Sequence, residues 1–419
     1  MPSLHMSMRM LLTLWLCLSC GRSILAQHRV QTHPTGTVSQ RTLLQVQNGR
    51  VEFVNASALP LADLYSFGQL RQQANRGWVV LRCGEVIVAD RMKLSKEGVE
   101  IQSLLWQPLT VLWKDVRAVI RNVPKILSAR DRLLESIFDD EASHFLLFNR
   151  QTRVDSKVTI DDEGLLHIDA SQSVQAFTVP FSSVKAIVMN EIQRNETAEL
   201  LVGFLDGSFG QASHISRKGG QLTWETASQV RLTTNKPFLM QQQMNVWENL
   251  TCLRPIKEDV VFLDGLEETQ AVSIPFFEGE LTPTEPVKYT RPGHGRNALG
   301  GMLRHDKFTF QHGLGMKSLS RVTFDIPEAA TTFISDIAID SITGTRGSVT
   351  FHVFLRENSG DWTPVYSSSV IRGGDPKQTI KVPLADAKEI SLVVGMADRA
   401  TVADYANWLD ARFILQQAR

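Results

Sequence analysis

Val349-Thr350-Phe351-His352-Val353-Phe354-Leu355 carries apolar residues at every odd position. Successive side chains of a β-strand point to opposite faces, so Val349, Phe351, Val353 and Leu355 share one side. The turn formers Asn358-Ser359-Gly360-Asp361 follow, and a partner strand starts at Trp362. Working outward, strands fit 333–339, 379–382, 390–394 and 411–415. About eight short strands over this length predict a two-sheet, jelly-roll-like β-sandwich across 256–419. Each strand of such a sandwich buries one face, so binding falls to edge loops or an exposed face.

Upstream, a shorter pattern recurs. Trp78-Val79-Val80-Leu81-Arg82-Cys83-Gly84-Glu85-Val86-Ile87-Val88 reads as strand, turn, strand, and Glu97-Gly98 marks a second turn. Phe145-Leu146-Leu147-Phe148-Asn149-Arg150 and Leu200-Leu201-Val202-Gly203-Phe204-Leu205-Asp206-Gly207 open similar passages. These give three β copies, 76–122, 143–192 and a diverged one with a connection at 193–255, expected as tandem small barrels or meanders. Between the first two, Pro124 precedes Ile126, Leu127, Leu133, Leu134, Ile137 and Phe138 at helical spacing, which predicts a helical spacer over 123–142. Residues 27–75 resist assignment: a strand fits Val51 to Val54, and a short helix fits Leu59 to Ala74. The fold class is mainly β, with few helices.

Composition bounds the function. The 419 residues are 43% hydrophobic and 21% charged, which suits two or three packed domains. Lys+Arg and Asp+Glu both number 44. That balance lacks the basic surplus of a nucleic-acid binder. Arg9, the apolar run Met10 to Leu18 and Ser23-Ile24-Leu25-Ala26 read as an export signal over 1–26, cleaved before Gln27. The run is too short to span a bilayer comfortably, so no membrane span is expected after cleavage; an uncleaved anchor is the alternative reading. The expected location is secreted, periplasmic or cell-surface. Cys83 and Cys252 remain after cleavage, and spacing leaves their pairing open. No metalloprotease, nucleophile-elbow or P-loop motif is present.

One ordered set of motifs points further. It comprises Gly293-His294-Gly295-Arg296-Asn297-Ala298-Leu299-Gly300-Gly301, Phe310-Gln311-His312-Gly313-Leu314-Gly315 and Ser320-Arg321-Val322-Thr323-Phe324-Asp325. Arg372-Gly373-Gly374-Asp375-Pro376 and Asp404-Tyr405-Ala406-Asn407-Trp408-Leu409-Asp410-Ala411-Arg412 complete it. Over about 262–416 this set resembles the NPCBM family of carbohydrate-binding modules, found in bacterial secreted proteins. The resemblance implies a galactose-binding-domain-like sandwich that binds glycan. It departs from the family pattern at Lys317 and at Tyr405, where the family commonly has histidine.

Sugars are held by aromatic faces and planar polar groups. The candidate ligand residues are therefore Trp362, Arg346, Arg372, Asp375, Asp404, Asn407 and Trp408. Trp408 also reads as a core residue, because large aromatics dominate cores. No cofactor is expected; Asp336 and Asp340 are the candidates for a structural calcium. The main expectation is a non-catalytic glycan-binding protein. The alternatives are an envelope adhesion module with a protein partner, and a hydrolase with an unrecognised site in the β copies.

Overall fold

The computed structural model describes residues 27–71, 76–138, 144–148, 152–169, 175–193, 198–241, 245–273, 291–357, 360–398 and 401–416. Residues 1–26, where an export signal was expected, and the turn residues Asn358 and Ser359 lie outside them.

One strand connectivity recurs through the first 255 residues. Gly77–Leu81 and Val86–Ala89 form a hairpin, and Arg91–Leu94, Gly98–Gln102 and Leu109–Leu112 form a separate three-stranded meander. The 3-10 turn Trp113–Asp115 then leads into Val116–Ile120, which returns to pair with the first strand. Phe145–Phe148 to Val184–Val188 repeats this order. Leu200–Phe204 to Leu250–Pro255 follows it with a modified middle, where Phe209–Lys218 continues into Gln221–Thr226.

A fourth passage starts earlier than the sequence pattern showed. His28–Thr32 and Val38–Arg41 pair, Leu43–Gln47, Arg50–Phe53 and Ala56–Pro60 form the meander, and Leu64–Gly68 closes back on His28–Thr32. The helix expected over Leu59 to Ala74 is absent from its described part. Leu64–Gly68 instead bonds strands on both sides, and Leu64, Tyr65 and Phe67 are buried. Distant strand partners outweighed a weak local helical spacing.

The four passages share edges. Closing strands meet at Val119↔Ile187 and at Cys252↔Gly68, and hairpins meet at Phe209↔Val86. One 14-stranded sheet results. One face packs on the meanders through Val79, Leu81, Ile87 and Trp106. The other packs on the helix Leu127–Phe138 through Trp78, Val80, Val86 and Val88, against Leu133, Leu134 and Ile137. Burial on both faces explains the unbroken apolar run at 78–81.

The carboxyl-terminal part is a sandwich of two six-stranded antiparallel sheets. One runs Gly293–His294, Gly313–Lys317, Tyr405–Leu415, Ala330–Ile339 and Gln378–Pro383, with Val260–Phe262 beside Tyr405–Leu415. The other runs Gln270–Ser273, Ser320–Asp325, Glu389–Met396, Ser348–Arg356 and Thr363–Ser367, with Ile371–Arg372 on Ser348–Arg356. Val349, Phe351, Val353 and Leu355 enter the core, as their alternation requires.

Scaffold and sandwich are joined tightly. Leu70–Arg71 pairs with Phe308–Phe310 of the sandwich. The Arg412 guanidinium lies 3.5 Å from the Tyr65 ring centroid, and Arg254 meets Asp410 at 3.0 Å. The helix contributes Asp131, which accepts both terminal nitrogens of buried Arg304. No helix among the described residues is long and apolar enough to cross a membrane.

Candidate functional site

Four loops converge at one end of the sandwich. They follow the strands Gly313–Lys317, Ala330–Ile339, Ile371–Arg372 and Glu389–Met396. The 3-10 turn Ser341–Thr343 is started by Asp340, whose carboxylate accepts from the Ile342 amide at 2.9 Å. Arg346 follows in the same loop, exposed, with its Nε donating to the Thr343 carbonyl at 3.2 Å. Gly373 donates its amide to Gly347 O at 3.1 Å, which locks the second loop onto the first. A Cβ at Gly373 would stand 2.2 Å from the Arg346 carbonyl, so only glycine allows this approach.

The side chains are then fixed locally. Asp375 accepts from the Arg372 amide at 2.8 Å, and the Arg372 Nη2 donates to Asp398 at 2.5 Å. Both members of that ion pair are about half exposed. Beneath them, buried Asp404 accepts from the Ser348 amide at 2.8 Å, and burial raises its pKa above the usual aspartate range. Lys317 and Tyr405, the two departures from the family pattern, are direct cross-strand partners at this end. The Lys317 ammonium lies 6.0 Å from the Tyr405 ring centroid, and burial lowers its pKa. Exposed guanidiniums, carboxylates and a half-buried phenol ring are the groups that bond hydroxyls and cover C–H faces.

Of the residues singled out from sequence, Arg346, Arg372 and Asp375 share this rim. Asp404 supports it from below and is not exposed to a ligand. Asn407 is fully buried: its Nδ2 donates to Asp340 at 2.7 Å and to the Arg304 carbonyl at 3.2 Å. Trp408 is also fully buried, edge-on to Phe351 at 5.0 Å. It was expected just before a strand, but lies inside the long strand Tyr405–Leu415. Positive φ at Asp410 and a register shift there form a bulge. The bulge changes the alternation, so Trp408 and Phe413 both face the core.

Trp362 does not reach the rim. It precedes Thr363, which pairs with Leu355, whereas Arg372 pairs with Ser348. Seven residues of strand separate those pairings, roughly 23 Å. The Trp362 ring is flanked instead by Arg356 at 4.6 Å and Arg321 at 5.1 Å. Sequence reading missed Lys317, Tyr405 and Asp398 as rim residues. The first two carried a signal as paired departures from one pattern; Asp398 carried none.

The glycine-rich motifs serve packing. Asn297 accepts from the Leu299 and Gly301 amides at 3.0 and 2.9 Å, bracing its own loop. A Cβ at Gly301 would lie 2.3 Å from Asp131 of the scaffold helix, so the loop seats the helix. His312 stacks on Phe262 at 3.8 Å and contacts Asp264 at 3.1 Å. Asp336 and Asp340 are both bonded to protein donors, and no cluster of metal-ligating side chains occurs among the described residues. Cys83 and Cys252 are free thiols, and burial pushes the Cys252 thiol up to about 12.

Residues 280–414 match the NPCBM/NEW2 domain family model. That match covers most of the sandwich. A Renibacterium salmoninarum protein named "Putative endo-alpha-N-acetylgalactosaminidase" is 30% identical over 115 residues, covering 27% of this chain. The match spans only 7% of that protein. Among solved structures, CBM51 from Clostridium perfringens GH95 in complex with methyl-galactose is 19% identical, covers 37% of this chain and 99% of its own, and gives a TM-score of 0.30. Tandem CBM51 modules of a Streptococcus pneumoniae family 98 glycoside hydrolase are 21% identical over 38% of this chain and 48% of theirs, with a TM-score of 0.31.

Proposed function

We propose that this chain is an exported, non-catalytic protein that binds glycan through the rim of its NPCBM domain. The observation that carries the reading is the convergence of Arg346, Arg372, Asp375 and Asp398 on a braced platform beside Lys317 and Tyr405. Planar donors and acceptors held by their own loops lose little freedom when they bond sugar hydroxyls. A binding role suits the rim carboxylates, each of which is tied to a neighbouring donor. Glycosidases instead set two carboxyl groups against one scissile bond. The scaffold acts as a rigid mount, and its place is the cell surface, periplasm or exterior.

The test is a glycan array with the full chain, followed by calorimetry on the strongest hits. Saturable binding that the Arg346→Ala/Arg372→Ala variant loses supports the reading. A folded chain that ignores every neutral glycan, or a variant that binds as wild type does, overturns it.

A further inference from the structure

A cavity of about 510 Å³ opens where the scaffold's first hairpin meets the NPCBM domain. That is within the ordinary size of small-molecule sites. Arg29 and Arg71 line it from the scaffold, and Lys307 and Lys377 from the sandwich. None of the rim residues lines it. Two carboxylates belong to this region: exposed Asp306 at the mouth and buried Asp336 beneath. Asp336 is already saturated. It accepts from Arg29 at 2.8 Å, from Lys377 at 2.6 Å and from Thr379 at 2.6 Å. One carboxylate therefore serves two cations.

Arg71 and Lys307 are paired with no carboxylate among the described residues. Their charged groups lie 5.4 and 5.5 Å from the Phe308 ring centroid. The Arg71 Nε is a buried donor without a hydrogen-bond partner. Such a group costs free energy until an acceptor arrives. His28 and His305 also line the cleft, and both titrate below the ordinary histidine value. Burial is the first cause; the second is Arg71 for His28 and Lys377 for His305. The neighbourhood thus already resists further positive charge.

We propose that this cleft binds the anionic group of an acidic saccharide, a carboxylate or a sulfate. Arg71 supplies a planar fork of donors and Lys307 a point charge at the mouth. The anion rests on the cleft alone; the choice of a saccharide rests on the glycan reading above.

The two readings separate in the full chain carrying Arg346→Ala/Arg372→Ala, which removes both rim guanidiniums. Calorimetry on that protein uses glucuronate and galactose 6-sulfate as probes, galactose as the neutral control, and sodium sulfate. Both acidic sugars should bind, galactose should not, and added NaCl should weaken the affinity. Adding Lys307→Glu or Arg71→Ala should each weaken it about tenfold or more, the worth of a charged hydrogen bond. Lys307 is exposed, so its variant keeps the test readable if Arg71→Ala fails to fold. Absent saturable binding, or affinity unchanged by Lys307→Glu, overturns the proposal. Inorganic sulfate binding as tightly as the sulfated sugar overturns its saccharide half.

Discussion

Trp408 and Arg372 show how differently two candidate residues behave. Trp408 contributes a large buried ring between the sheets. Its replacement by alanine should cost about 3–5 kcal/mol, read by urea denaturation, with any loss of binding following from unfolding. Arg372 pairs with Asp398 in solvent. Exposed pairs contribute little, so Arg372→Ala should leave stability within about 0.5 kcal/mol of wild type while weakening glycan binding. A large loss of stability in Arg372→Ala would make it a structural residue. Residue type alone does not separate these cases, because both are polar or amphipathic residues in a motif.

At the scale of elements, the helix Leu127–Phe138 and the loop 297–301 form one joint. Arg304 is buried and its charge is balanced by Asp131 across that joint. Asp131→Ala leaves a buried guanidinium without its carboxylate and should cost about 3–5 kcal/mol by denaturation. Gly301→Ala should lower the melting temperature, because its methyl group meets Asp131. A Gly301→Ala protein as stable as wild type would show that the helix can shift freely. The helix was legible from the spacing of its apolar residues, since Leu133, Leu134 and Ile137 share a face. Its partner was not, because nothing near Asp131 in sequence specifies Arg304. The same limit applied to Leu64–Gly68, whose hydrogen bonds come from strands 36 and 185 or so residues away in the chain.

Across the whole molecule, charge is buried at the junction of scaffold and sandwich. Asp336 is held well below the usual carboxylate range; burial opposes this, and Lys377 and Arg29 more than offset it. Its folded-state pKa is depressed, so its stabilisation is present above the ordinary aspartate value of about 3.9 and lost as pH falls below it. Asp336→Asn should therefore destabilise at pH 7 and flatten the acid limb of the stability profile. An unchanged acid limb would exclude this carboxylate as its cause. The shared strand pairing at Phe308↔Arg71 and the Arg254–Asp410 contact predict one calorimetric unfolding transition for both parts. Two well-separated transitions would mean that the parts are thermodynamically independent.

Local sequence established the β class and the faces of the regular strands, which depend on period-two alternation and on glycines in tight turns. The last domain's resemblance to a known family was legible separately, in an ordered set of motifs. Tertiary structure alone decided which polar residues face solvent, that Trp408 is enclosed, that four strand passages share one sheet, and that cations from both parts surround a single cleft. Those outcomes depend on bulges, cross-chain register and charges brought together from hundreds of residues apart, and no local spacing encodes them.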